Sequence, residues 1–128
     1  MQAPTESELA ILQVLWDRGP QTVRAVNDSL NGVTDRPIGY TTTLKIMQLM
    51  VDKGLVDRDV SNRSHVYAAA VAQERTEKNL LRRFVDRTFG GSRTQLVLRA
   101  LGEGTPSQEE LEEIKKLIED LEKKGGHA

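Results

Sequence analysis

The chain contains no cysteine. That excludes disulfides and every metal site built on thiolates. Aromatic residues make up only 4% of it (Trp16, Tyr40, Tyr67, Phe84 and Phe89), so a core has to be built mainly from aliphatic side chains. No apolar run reaches the length of a membrane span or of a signal-peptide core, so no membrane insertion is expected and the chain is assigned to the cytoplasm. The two histidines, His65 and His127, have no second ligand at metal spacing. Nucleophile elbows, glycine-rich phosphate loops and paired catalytic motifs are missing as well. The Gly102-Glu103-Gly104 break has the composition of a phosphate loop, but reads more simply as a hinge between helices. Neither an enzyme nor a bound cofactor or metal is expected.

An excess of charge of one sign is also lacking. The net charge is −1, and residues 1–72 carry seven Lys/Arg against eight Asp/Glu. Such a balance weighs mildly against nucleic-acid binding, which usually goes with a basic surface. The distribution is less even than the total. Residues 74–99 hold seven cations and three acids, whereas residues 103–124 hold four cations and eight acids. These opposite blocks are able to meet within one subunit or between two.

What is present is organised around residues 40–54, Tyr-Thr-Thr-Thr-Leu-Lys-Ile-Met-Gln-Leu-Met-Val-Asp-Lys-Gly. Three threonines open the stretch, any of them a helix cap, and Gly54 closes it. Leu44, Met47 and Val51, with Met50 beside them, form a core-facing stripe at helical spacing. Thr41, Lys45, Gln48 and Asp52 fall on the other side. Short hydroxyls, a cation and an amide near a helix N-terminus suit phosphates and base edges. Two short β-prone runs follow, Leu55 to Val60 and His65 to Ala68, separated by Ser61-Asn62-Arg63-Ser64. Helix, glycine stop and hairpin is the order of a winged helix-turn-helix, with Arg63 at the wing tip.

Before this stretch, Thr5-Glu6-Ser7-Glu8 fits a capping box for a first, mostly buried helix through Trp16 that Gly19-Pro20 ends. Thr22 caps a second helix, with Val23, Val26 and Leu30 inward and Arg24, Asn27 and Asp28 outward; Asn31-Gly32 stops it. After the hairpin a long helix is expected over residues 73–89, then a short one opened by a capping box at Ser92-Arg93-Thr94-Gln95. The last helix follows Thr105-Pro106-Ser107, with Pro106 in its first turn and Leu111, Ile114, Ile118 and Leu121 on one face. The fold class is therefore mainly α with a small β-hairpin: a winged helix-turn-helix over residues 1–72 and a three-helix region over residues 73–128. Three short helices with wide apolar faces bury those faces poorly alone, so a second copy is their simplest partner. The residues expected at that dimer interface are Leu80, Leu81, Phe84, Val97, Leu101, Leu111, Ile114, Ile118 and Leu121.

With these elements in place the chain resembles the BlaI/MecI/CopY family of bacterial winged-helix repressors over nearly its whole length. The carriers are Glu8-Leu9 through Leu15-Trp16, Thr22-Val23-Arg24, Tyr40-Thr41-Thr42 with Leu44, Lys53-Gly54-Leu55-Val56, and Val66-Tyr67. The resemblance implies a homodimer, joined by its C-terminal helices, that represses its own operon from a palindromic site on double-stranded DNA. It also implies relief of repression by a membrane-bound sensor protease. Three departures stand out. Lys45 and Leu49 occupy positions where relatives often carry Thr and Arg, so base preference does not transfer. Copper sensing through thiolates is excluded. Residues 96–101 read Leu-Val-Leu-Arg-Ala-Leu, with Arg99-Ala100 in place of the Asn-Phe bond cut in the antibiotic-resistance repressors.

The residues expected at DNA are Thr41, Thr42 and Lys45, with a base contact from Thr43 or Gln48, Arg58 and Arg63 on the wing, and Arg24 at a phosphate. The alternative is a winged-helix module that binds another protein and no DNA.

Overall fold

A computed structural model describes residues 3–125. The elements run α1 (Glu6–Arg18), β1 (Gln21–Thr22), α2 (Val23–Asn31), α3 (Tyr40–Asp52), β2 (Val56–Asp59), β3 (Val66–Ala69), α4 (Gln73–Phe89), α5 (Arg93–Gly102) and α6 (Gln108–Gly125). Mainly helical with one small antiparallel sheet, this is the expected winged helix followed by a helical region. The chain divides into two compact units, Met1–Arg82 and Arg83–Ala128, within α4. No helix among the described residues is long and apolar enough to cross a membrane.

In the first unit the local signals act as the sequence indicates. The Thr5 hydroxyl accepts from the Glu8 backbone N–H, and the Glu8 carboxylate accepts from the Thr5 N–H, closing a capping box. Gly19, at φ 79°, ends α1 in a left-handed conformation that a side chain would strain. Thr22 caps α2 through the Ala25 N–H. Two residues before α2 pair with the hairpin as β1, which local patterning does not reveal; the sheet order is β1-β3-β2, with Tyr67 opposite both Gln21 and Arg58. Ile11, Leu12, Leu15, Val26, Met47, Met50, Leu55, Val56 and Tyr67 close the core. The Trp16 indole N–H donates to the Val71 carbonyl at 2.9 Å, fastening α1 to the chain leaving the sheet.

Four local expectations are corrected. The cap of α3 is Gly39, with no side-chain hydrogen bond, so Thr41, Thr42 and Thr43 all lie inside the helix. Asn27, expected outward, is buried, and its amide donates to the Ile38 carbonyl at 2.9 Å and to the Thr43 hydroxyl at 2.8 Å. Thr43 is 0% exposed, so it cannot meet a base edge. Asn31, one turn on from Asn27, accepts from the Ile38 N–H at 2.7 Å and donates to its carbonyl at 3.0 Å. The loop leading into α3 is thus tied to α2 by two side-chain amides, which satisfies backbone groups no ladder reaches. In the C-terminal region Ser107 caps α6 through the Glu110 N–H, which places Pro106 ahead of the helix.

Glu8 also makes an ion pair the sequence does not announce. Its carboxylate lies 2.7 Å from the Lys53 ammonium and is 4% exposed, so the start of α1 is joined to the end of α3. Burial pushes the Glu8 carboxyl up, but Lys53 and the N–H and hydroxyl groups of Thr5 together outweigh it and hold the group below its ordinary 4.5. The unfolded chain therefore takes up the proton first. The stability from this pair is present above the unfolded glutamate range and is lost as pH falls through the lowered folded value.

Lys53→Met should leave that carboxylate buried without its cation. Urea unfolding at pH 7 is expected to show a loss of about 1–3 kcal/mol. The loss should shrink as the pH drops below the ordinary glutamate range, where Glu8 is protonated in the variant. Equal stability at pH 7 would contradict this role for the pair. Thr43→Val keeps the shape but leaves one Asn27 N–H unpaired, and is expected to cost about 1–2 kcal/mol in the same assay. A neutral result would mean that the amide finds another acceptor.

Candidate nucleic-acid interface

The outward side of α3 is polar at its start. Thr41, Thr42, Lys45 and Gln48 are exposed, and none of them makes a side-chain hydrogen bond or ion pair within the described residues. They follow from the helical period: Met47 and Met50 point into the core, which turns positions 41, 45 and 48 away from it. Hydroxyls, an ammonium and an amide are left free to donate and accept. Thr43 belongs to the opposite side and serves the fold.

Two of the expected cations are brought together. The Arg24 guanidinium stacks over the Tyr40 ring at 4.6 Å from its centroid, holding the first turn of α2 against the first residue of α3. Arg63 lies exposed in the bend between β2 and β3. Arg24 and Arg63 both line a cavity of about 240 Å³ together with Thr22, Tyr40, Ser64, His65 and the buried Tyr67. No carboxylate lines it. It opens at the N-terminus of α2, where the first backbone N–H groups lack helical partners and the helix dipole is positive. Two guanidiniums and the hydroxyls of Tyr40 and Ser64 line it, donors of the kind that bind anions. Arg58 stands apart from it, exposed on β2, in register with Tyr67 on β3.

The wing turn is preset. Asp59 Oδ1 accepts from the Ser61 N–H at 2.9 Å and from the Ser61 hydroxyl at 2.6 Å. These bonds, the hydroxyl's first, hold the Asp59 carboxyl below its ordinary value, with a smaller contribution from nearby His65. An aspartate bonding two residues ahead shapes the chain leading to Arg63.

Sequence reasoning missed Thr22, Tyr40, Ser64, His65 and Tyr67 as neighbours of Arg24 and Arg63. Arg24 and Tyr40 come from different helices, so no local spacing couples them. Among the described residues no three His, Asp or Glu side chains are grouped to hold a metal. His127 lies outside the described residues.

In the second unit, α5 and α6 contain no buried residue. Phe84 is 49% exposed and Leu121 57%, with Val97 and Ile118 similarly open, while Leu101, Leu111 and Ile114 are half-buried. Val97 and Leu98 of α5 and Leu121 of α6 line one open apolar depression. In the first unit's part of α4, Leu80 is half-buried and Leu81 exposed.

Sequence comparison agrees with this architecture. Over 62 residues the chain is 39% identical to the transcriptional regulator BlaI of Mycobacterium tuberculosis, in strains CDC 1551 and H37Rv. The match takes in 48% of this chain and 44% of each of those proteins, so it spans less than half of their length. A sequence model of the penicillinase repressor family matches residues 4–120, and with nearly its whole described length covered the chain belongs to that family.

Proposed function

We propose that the protein is a DNA-binding transcriptional repressor, acting in the cytoplasm as a homodimer on a palindromic promoter operator. The observation that carries this is the acid-free cavity between the α2 N-terminus and the wing, where Arg24 and Arg63 converge beside the exposed start of α3. A DNA phosphate fits there, with both guanidiniums and the orphan amides as donors. Thr41, Thr42 and Lys45 then face the major groove and its flanking phosphates, Gln48 a base edge, and Arg58 the backbone beside the wing. The near-neutral charge of residues 1–72 favoured a protein-binding module. It loses weight here because no carboxylate lines the cavity that Arg24 and Arg63 share and family membership points to repression.

The dimer rests on the apolar side of the second unit. Helices with no buried residue and with Phe84, Val97, Ile118 and Leu121 open to water need a cover, and a twofold DNA site calls for a twofold reader. Leu101, Leu111 and Ile114 extend that face, and Leu80 and Leu81 of α4 are proposed as further dimer contacts. The cationic stretch at 74–99 and the acidic one at 103–124 are complementary between copies. A membrane-bound sensor protease remains the family's route to induction. The exposed connection at 103–107 is the segment open to such an enzyme, since Arg99-Ala100 lies within α5 and would have to unwind before cleavage.

Selection of bound duplexes from a random pool tests the reading, and a palindromic consensus is the expected product. On that duplex, Arg24→Ala and Arg63→Ala should each weaken binding to all sequences alike and flatten the salt dependence by about 0.9 in log–log slope. Relaxed preference at one base pair with an unchanged slope would place these residues elsewhere. Leu121→Lys is expected to shift the protein toward monomer in sedimentation equilibrium; an undiminished dimer would move the interface off this face.

A further inference from the structure

Past Tyr40, whose ring Arg24 covers, the outward stripe of α3 is polar except at one position. The helix carries six apolar residues, and five serve the core: Met47 and Met50 lie inside it, and Leu44, Ile46 and Val51 pack against it. Leu49 does not, and is 48% exposed. A single exposed leucine is ordinary on a protein surface. This one completes a row, falling seven residues after Thr42 and four after Lys45 on the same side of the helix. Lys53, one turn further on, is turned away into the Glu8 ion pair. At the far end of the stripe, beside the exposed Asp52, Leu49 therefore offers carbon where the near end offers hydroxyls and an ammonium.

Resting on the repressor reading, we propose that Leu49 is a specificity-determining residue that reads the 5-methyl group of thymine in the major groove. A leucine can neither donate to nor accept from a base edge. The apolar group that duplex DNA presents in the major groove is the thymine methyl, and burying it between Leu49 and the base stack removes both from water. At 1.5 Å per residue Leu49 lies about 10 Å along the helix from Thr42. That is roughly three base pairs of duplex, so the thymine stands about three pairs from the base beside Thr42 in each half-site.

Uracil tests this directly, because deoxyuridine keeps every hydrogen-bonding group of thymidine and lacks only the methyl. In the selected operator each thymine is replaced in turn, symmetrically in both half-sites, and affinity is measured for the parent protein and for Leu49→Ala. One symmetric pair of replacements is expected to weaken the parent by about fourfold per methyl, roughly tenfold or more for the two half-sites. Leu49→Ala should bind the thymine operator correspondingly less tightly and be indifferent to uracil at that pair. Restoring a methyl there as 5-methylcytosine opposite guanine should recover part of the parent's loss relative to cytosine, and none of the variant's. A parent protein indifferent to uracil everywhere, or a variant with the parent's thymine-to-uracil ratio, would overturn the assignment while the operator is still bound selectively. Failure of both proteins to select any duplex would overturn the repressor reading and this inference with it. Thermal melting of Leu49→Ala, expected close to the parent's temperature because the side chain is half-exposed and outside the core, separates lost recognition from lost folding.

Discussion

The presentation of α3 depends on one buried side chain, the Asn27 amide. It donates to the Ile38 carbonyl that precedes α3 and to the Thr43 hydroxyl one turn inside it, while Asn31 donates to the same carbonyl and accepts from the Ile38 N–H. Hydrophobic packing of Met47 and Met50 brings the two helices together but is non-directional. A pair of amides with defined donors and acceptors selects one rotation of α3 among the many that would bury the same methionines, because each alternative leaves a buried polar group unpaired. The Glu8–Lys53 ion pair pins the far end of the helix to α1, and the Arg24–Tyr40 stack pins its near end to α2. With three ties along its length, α3 is a rigid element, and Thr41, Thr42, Lys45 and Gln48 are held facing out. That pre-organisation spares the ordering entropy a flexible reader would lose on binding.

The two units use their apolar residues in opposite ways. In the first, leucines, valines and methionines are drawn into a closed core and the exposed remainder is polar, apart from a few side chains such as Leu49. In the second, helices capped by Ser92 and Ser107 form well, yet they leave wide apolar sides in water. Helix formation and burial are separate requirements, and only the first is met locally. The second unit thus leaves apolar side chains in water, and the first closes over its own.

Much of this was legible in the sequence wherever the determinant is local. The Thr5–Glu8 capping box, the Thr22 cap, the glycine stop at Gly19 and the helices over 73–89 and after Ser92 all rest on residues within four positions of one another. Helical period and hairpin order also place Arg24, Arg58 and Arg63 on α2, β2 and the wing turn, where the structure has them. The failures share a cause. Thr43 and Asn27 are polar residues at positions that an amphipathic pattern assigns to the surface, and only their pairing across two helices makes burial affordable. The same holds for Glu8 with Lys53, 45 residues apart, and for β1, a two-residue strand whose partner lies far along the chain. Non-local polar pairing has no periodicity, so a single sequence carries no signal for it beyond hints such as the i, i+4 asparagines of α2.

On the repressor reading proposed above, the acid-free cavity and the outward side of α3 together read duplex DNA. Fluorescence-anisotropy titration of the full chain against its selected duplex and a scrambled duplex of equal composition, at two salt concentrations, tests it most directly. Binding should be tight and selective for the selected duplex and should weaken steeply with salt, as several phosphate contacts require. Equal affinity for both duplexes at either salt would contradict it.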